Sequence, residues 1–277
     1  MLEHLLRRCC VQAWRHETAG NIIVFLIAGI FGGQLTATAG NVEIKFVVKT
    51  DQVKKAIGAL GLDKAAAEKR TIYFFDTKDL SLFKQPDPSI ILRSRTTEGN
   101  NEGETTVKLR AKGALEIEDE WKQKERNGEK LDFKIEKDHV VTKPIVESYS
   151  LDGKQDAKEI QEVASRKRPI KKIFSKNQED LVKAKAKANL DWDQLEALGP
   201  IHVKKWGFSA PALTLVAERW KFGDHLPTLE VSTKVDESIA EETTAKLVKF
   251  MRDKKFEPDK DPETKTREVL EFFTSPK

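Results

Sequence analysis

Cysteine is nearly absent: the 277 residues hold two, Cys9 and Cys10, side by side near the start. Adjacent cysteines rarely bridge each other, so neither a disulfide framework nor a cysteine-based zinc site can exist after residue 10. Histidine is sparse too, at five residues. His139, His202 and His225 lack metal-ligand spacing and are expected to be structural or exposed. Long apolar runs are missing, which excludes a polytopic membrane protein. Neither sign of charge dominates, with 49 basic against 45 acidic residues and a formal net charge of +4. Attraction of nucleic acid through bulk charge is therefore not expected. There is no Walker-type or dinucleotide glycine motif, and no repeat of fixed period. What remains is a globular composition, 34% charged and 39% hydrophobic, sized for one domain of roughly 200 to 240 residues or one domain with an insertion.

The first residues read as a targeting segment. Arg7, Arg8 and Arg15 precede the apolar run NIIVFLIAGIFG at 21–32, and Ala37 and Ala39 in LTATAG have the small-x-small spacing of a signal-peptidase site. About a dozen apolar residues suit a signal h-region and fall short of the about 20 that span a bilayer. Residues 1–39 are thus expected to be a signal peptide or an N-terminal anchor, a misassigned start being the remaining reading. The mature protein would be exported, periplasmic or secreted, and cysteine-free, as suits an oxidising compartment.

From residue 40 onward, polarity alternates. In GNVEIKFVV (40–48), Val42, Ile44, Phe46 and Val48 point one way, and Asn41, Glu43 and Lys45 the other, because successive side chains of a strand alternate faces. DQVKKAIGAL reads as a helix closed by Gly61. TIYFFDT (71–77), SIILRSR (89–95) and TTVKLRAK (105–112) are further strands, and ALEIEDEWKQKE (114–125) begins as another, with Glu116, Glu118 and Glu120 on one face. Residues 126–195 are polar and lysine-rich with helical patches and read as an insertion; its RKRPIKK run (166–172) reads as a solvated face, a grip on an acidic surface or polyphosphate being the other reading. Strand signals return in GPIHVKKWGF (199–208), PALTLVAERWKF (211–222) and LPTLEVSTKV (226–235). Two helices follow, the second carrying Lys265 and Arg267, which either plug one mouth of the fold or are exposed helix charges. Trp121, Trp192, Trp206 and Trp220 are expected in the core.

The polar rows share a theme. The third strand offers Arg93 and Arg95, the fourth Lys108 and Arg110, and a late strand Glu230, Ser232 and Lys234. An open antiparallel sheet with one wet side accommodates any single row. If the sheet closes into a barrel, the rows meet inside. So many like charges in one interior repel each other unless an anion and cations fill it. Polyphosphate with a divalent metal meets that need, since Arg and Lys neutralise phosphate oxygens and carboxylates hold Mg²⁺ or Mn²⁺.

GNVEIKF, YFFDT, SIILRSR, TTVKLR and LEVSTKV, in this order, resemble the motifs of the CYTH superfamily, the triphosphate tunnel metalloenzymes. The match runs over roughly 41–125 and 199–235. The resemblance implies an α+β fold, an antiparallel eight-stranded β-barrel (a tunnel) with flanking helices and a helical insertion at about 126–195, within a tunnel domain spanning 40–277. It implies metal-dependent hydrolysis of inorganic triphosphate or an organic triphosphate, with Mg²⁺ or Mn²⁺ as cofactor. Lys45, Arg93, Arg95, Lys108 and Arg110 correspond to phosphate ligands, joined by Lys204 or Lys205 and by Lys234. Glu43, Glu118, Glu218 and Glu230 correspond to metal-facing carboxylates, and Glu43 and Lys45 to the catalytic pair. One metal would brace the phosphate chain while a second activates the attacking water.

Two departures weigh against catalysis. Asn41 stands at the family's first Glu, and Ser232 at the second acid of the last strand. Each removes a charged oxygen where the water-activating metal is expected. Glu116, Glu120 or an acid of the insertion would have to compensate. The alternative is a non-catalytic triphosphate or polyphosphate binder. Nucleotide cyclisation would need a base pocket, for which the sequence offers no candidate. The expected partner is a small molecule, with membrane contact only through an uncleaved N-terminal segment.

Overall fold

Alternating segments form strands wherever one face can be covered. The computed structural model describes residues 41–111, 113–187, 189–260 and 264–275; the expected signal or anchor segment lies outside them. β1 (Asn41–Val48) leads through a 3₁₀ turn into α1 (Val53–Ala59), which ends before Gly61 at φ +68°. β2 (Glu68–Asp76), β3 (Ser89–Thr97) and β4 (Glu102–Arg110) follow as antiparallel neighbours. A two-stranded ribbon of β5 (Glu125–Arg126) and β6 (Glu129–Lys130) precedes β7 (Asp132–Val140) and β8 (Val146–Asp156). Then come α2 (Ala157–Ala164), α3 (Lys176–Lys185), β9 (Glu196–Ala210), β10 (Leu213–Lys221), β11 (Thr228–Asp236), α4 (Ala240–Asp253) and α5 (Lys265–Thr274).

The strands close into a barrel in the order β1-β11-β10-β9-β2-β3-β4-β8-β7. It has nine strands instead of the expected eight. It is also mixed, because β7 runs parallel to β1 where the ends meet, Glu43 facing Asp138. The extra wall comes from the stretch read as a helical insertion. DFKIEKDHV carries Phe133 and Ile135 on one parity and Lys134, Glu136 and Asp138 on the other, which is strand alternation within a lysine-rich background. Only after β8 does that stretch turn helical, with Asp156 capping α2 and a Ser175–Gln178 capping box opening α3. The strand begun at ALEIEDEWKQKE is instead irregular chain with a 3₁₀ turn at Asp119–Lys122.

Apolar side chains cover the outside of the wall. Ile90, Leu92, Val107, Leu109, Tyr149 and Leu151 lie under Ile160 and Val163 of α2 and Leu181 and Val182 of α3. Val42, Ile44, Phe46, Leu215, Leu229 and Val231 lie under α1 and under Leu247 and Met251 of α4. The inner face is polar over most of its length and apolar at one end. There Ile72, Phe74, Ile91, Ile201, Val203, Trp220 and Phe222 pack with Val269 and Leu270 of α5. These residues share a face with the arginine row, since Phe74 opposes Arg93 and Ile72 opposes Arg95, and directly opposed residues of antiparallel strands point the same way. The last helix is thus a plug for one end. Burying an aliphatic side chain fully contributes about 1.5–3 kcal/mol, so Val269 and Leu270, both buried, seat α5 firmly. Among the described residues no helix is long and apolar enough to cross a membrane.

Candidate functional site

Register decides which of the sequence-derived residues meet. Lys45 opposes Ser232, Glu43 opposes Lys234, and Glu230 opposes Glu218 across β1, β11 and β10. Glu218 opposes Lys205 on β9. Arg95 opposes Glu104, Arg93 opposes Thr106, Lys108 opposes Ser150 and Arg110 opposes Ser148 across β3, β4 and β8. Glu43, Lys45, Arg93, Arg95, Lys108, Arg110, Lys205, Glu218 and Glu230 therefore line one interior, and Lys234 shares their parity at its exposed edge. Lys204 does not: it shares its parity with Trp206, which packs in the outer cluster, so it points away. Glu118 also stands outside, exposed, with Lys185 of α3 at 2.8 Å. Glu116 and Glu120 are exposed on the same irregular stretch, Glu120 3.4 Å from Arg126. Asn41 is exposed at the start of β1, and Ser232 is buried beside Lys45.

The central residue of the interior is Asp138 on β7, which the sequence reading missed. Its carboxylate accepts from Lys45 at 2.6 Å and Lys108 at 3.1 Å, and Arg110 lies 3.9 Å away. Its side chain is 8% exposed. Burial opposes its ionisation, but Lys108, Lys45 and Arg110 together hold it well below the usual aspartate range. Lys45 also touches Glu43 at 3.0 Å. Burial works against its charge, yet Asp138 and Glu43 raise its pKa. Next along the wall, one Nη of Arg95 donates to both oxygens of Glu104 at 2.8 Å, and Arg93 donates to Thr106 at 3.0 Å with Glu104 at 3.5 Å. The Arg93 Nε is buried without a hydrogen-bond partner. Burial and the neighbouring Arg95 lower the Arg93 pKa. Lys108 is lowered as well, burial being the main cause. Asp152 of β8 accepts from Thr106 at 2.6 Å and from Lys134 at 2.8 Å, and Lys234 donates to Glu136. Deeper in, toward the plug, Lys265 donates to Glu218 at 3.0 Å and Glu230 at 2.9 Å.

Several of these residues could have been found from the sequence. Lys134, Glu136 and Asp138 alternate with Phe133 and Ile135, and Ser148, Ser150 and Asp152 with Tyr149 and Leu151. The lysine-rich composition around them masked that period. Glu104 and Arg70 lie in plain strands, and Arg70 reaches within 3.9 Å of Glu218. The Asp of YFFDT has another task. Asp76 is buried and accepts from the backbone N–H groups of Thr77, Leu82 and Phe83, which shapes the β2–β3 connection. His139 faces a groove beside α4, outside the barrel.

A divalent ion of the Mg²⁺ or Mn²⁺ kind needs several oxygens converging at about 2.0–2.6 Å. Among the described residues no three Asp, Glu, His or Cys side chains come together in that way. Of the four carboxylates the resemblance assigns to metal, Glu43 is engaged by Lys45, Glu218 and Glu230 by Lys265, and Glu118 is outside. The described residues, placed as they are, do not fit a divalent-metal centre.

No protein-family profile and no curated protein matches the chain. Solved structures do. A candidate adenylate cyclase of Bacillus halodurans (bh2851) superposes with a TM-score of 0.51 at 15% identity, over 82% of this chain and 95% of that one. HpAC1 from Hippeastrum, a candidate adenylyl cyclase with a dominant triphosphatase activity, gives 0.55 at 16% identity, over 82% and 93%. At such identities the likeness is one of fold, and it is the fold that the ordered strand motifs anticipate. The chain, a closed β-barrel, shares its fold with these two proteins.

Proposed function

We propose that the barrel interior binds the triphosphate group of a small molecule. The observation that carries this reading is that Lys45, Lys108 and Arg110 converge on Asp138, with Glu43 beside Lys45 as the second carboxylate, three cations against two acids. Beside them Arg93 and Arg95 share Glu104, with one guanidinium nitrogen of Arg93 unsatisfied. Buried cations in excess of their counter-ions demand an anion, and guanidinium and ammonium donors on neighbouring strands suit a chain of phosphates. Export through residues 1–39 belongs to the same proposal and would put the ligand outside the cytoplasm.

Calorimetric titration of the full chain with tripolyphosphate in EDTA tests the reading. Saturable one-to-one binding is expected, with orthophosphate weaker by about 100-fold because it reaches only part of the row. Lys108→Met and Arg93→Met should each weaken binding about 10- to 100-fold, as charged hydrogen bonds contribute about 1.5–3 kcal/mol. A chain that takes up no tripolyphosphate at micromolar protein rules the reading out.

Hydrolysis of the bound triphosphate is a second reading, favoured by the triphosphatase activity of the Hippeastrum protein. It requires phosphate release from tripolyphosphate that Glu43→Gln abolishes. Binding without turnover across Mg²⁺ and Mn²⁺ would leave a pure binder.

A further inference from the structure

We propose that the ammonium of Lys265 takes the place of a divalent cation between Glu218 and Glu230, so that the barrel supplies its own cation and excludes Mg²⁺ and Mn²⁺ from this carboxylate pair. Glu218 and Glu230 are directly opposed on adjacent strands. Like charges in that position repel, and both side chains are mostly withdrawn from water. A cation is required there. Lys265 provides it, with Nζ at 3.0 Å and 2.9 Å from the two carboxylates and 4.7 Å from the ring centre of Trp220. Carboxylates and an aromatic face on the remaining side form a complete cage for an ammonium. Arg70 at 3.9 Å adds a second positive charge beside Glu218.

The position of Lys265 is costly except for this purpose. It is the first residue of α5, after the Thr264 cap, where the positive end of the helix dipole disfavours a cation. The helix is held in place independently of the lysine. Val269 and Leu270 are buried in the apolar plug, and Thr228 of β11 donates to Glu268 at 2.9 Å. The seat of α5 therefore keeps the base of the Lys265 side chain beside the two carboxylates, within reach of its ammonium. Ser232, one inward position along from Glu230, removes a further acid that a metal would need, and an ammonium does not. The same logic recurs at Lys45, held between Glu43 and Asp138.

Mn²⁺ titration of the full chain, followed by electron paramagnetic resonance without any phosphate present, is the test. It does not depend on the triphosphate reading and can fail separately from it. Wild type should leave the free-Mn²⁺ signal unchanged at this site, with Glu230→Gln making no difference. Lys265→Met keeps the aliphatic reach over Trp220 and removes the charge. It should gain one Mn²⁺ per chain, bound at least about 10-fold more tightly than by wild type, and Lys265→Met/Glu230→Gln should lose it again. Mn²⁺ bound by wild type and released by Glu230→Gln would overturn the proposal, as would a folded Lys265→Met chain with no new site. Should Lys265→Met fail to fold, the wild-type and Glu230→Gln titrations still decide: no Glu230-dependent Mn²⁺ supports the built-in cation.

Discussion

Asp138 shows best how single residues set the character of the interior. Its carboxylate, 8% exposed, is the point on which Lys45, Lys108 and Arg110 converge, Glu43 adding a second acid beside Lys45 only. Removing one partner of a buried charge cluster costs about 3–5 kcal/mol, because the remaining charges stay buried and uncompensated. Asp138→Asn should therefore lower the melting temperature sharply. Tripolyphosphate should restore much of the loss, since a ligand that binds only the folded state stabilises it by mass action. Acid should act on the same groups. Glu43, Asp138, Asp152 and Glu218 are all held below their ordinary values, against the effect of burial, by neighbouring lysines and arginines. A carboxylate with a depressed folded pKa stabilises above its unfolded pKa, and that contribution disappears as pH falls through the folded value. Denaturant midpoints should then be level near neutrality and fall once pH drops below the ordinary 3.8–4.5 of these carboxylates. At this scale the inward-facing lysines and arginines were legible, because each sits on the polar parity of a clean strand. Asp138 was not, because its strand lies in a stretch whose composition suggested solvent.

Elements carry the same lesson in a different form. The strands before residue 111 and after residue 195 announce themselves by β-branched and aromatic alternation, and the structure puts them where the alternation does. β7 and β8 are as regular, but their inward rows are charged or hydroxyl-bearing and their outward rows are covered by α2 and α3, so each looks polar when read alone. The plug was harder to read. Lys265 on a short terminal helix has the pattern of any exposed amphipathic end, and only closure of the barrel shows that its ammonium points at two carboxylates. Seating of α5 depends on Gly223, which has φ +45° and where an added Cβ would lie 2.4 Å from Cζ of Phe272. Gly223→Ala should push the helix from its seat and cost about 1–3 kcal/mol, the usual penalty of overpacking. Urea unfolding of the variant, read beside proteolysis at the C-terminus, checks both effects.

The whole molecule inverts the usual arrangement of a small barrel. Greasy side chains lie between the wall and its helices, and the interior away from the apolar plug is an ionic network. A nine-stranded wall leaves room for this, because long charged side chains fill space that leucine and valine would fill in a packed barrel. The most direct measurement is a crystal structure of the full chain with tripolyphosphate, grown in EDTA. Phosphate density within hydrogen-bond reach of Lys45, Arg93, Arg95 and Lys108 is the expected result, with Lys265 still between Glu218 and Glu230. Phosphate bound on the outer surface, at the 166–172 basic run or elsewhere, with an empty interior would contradict it.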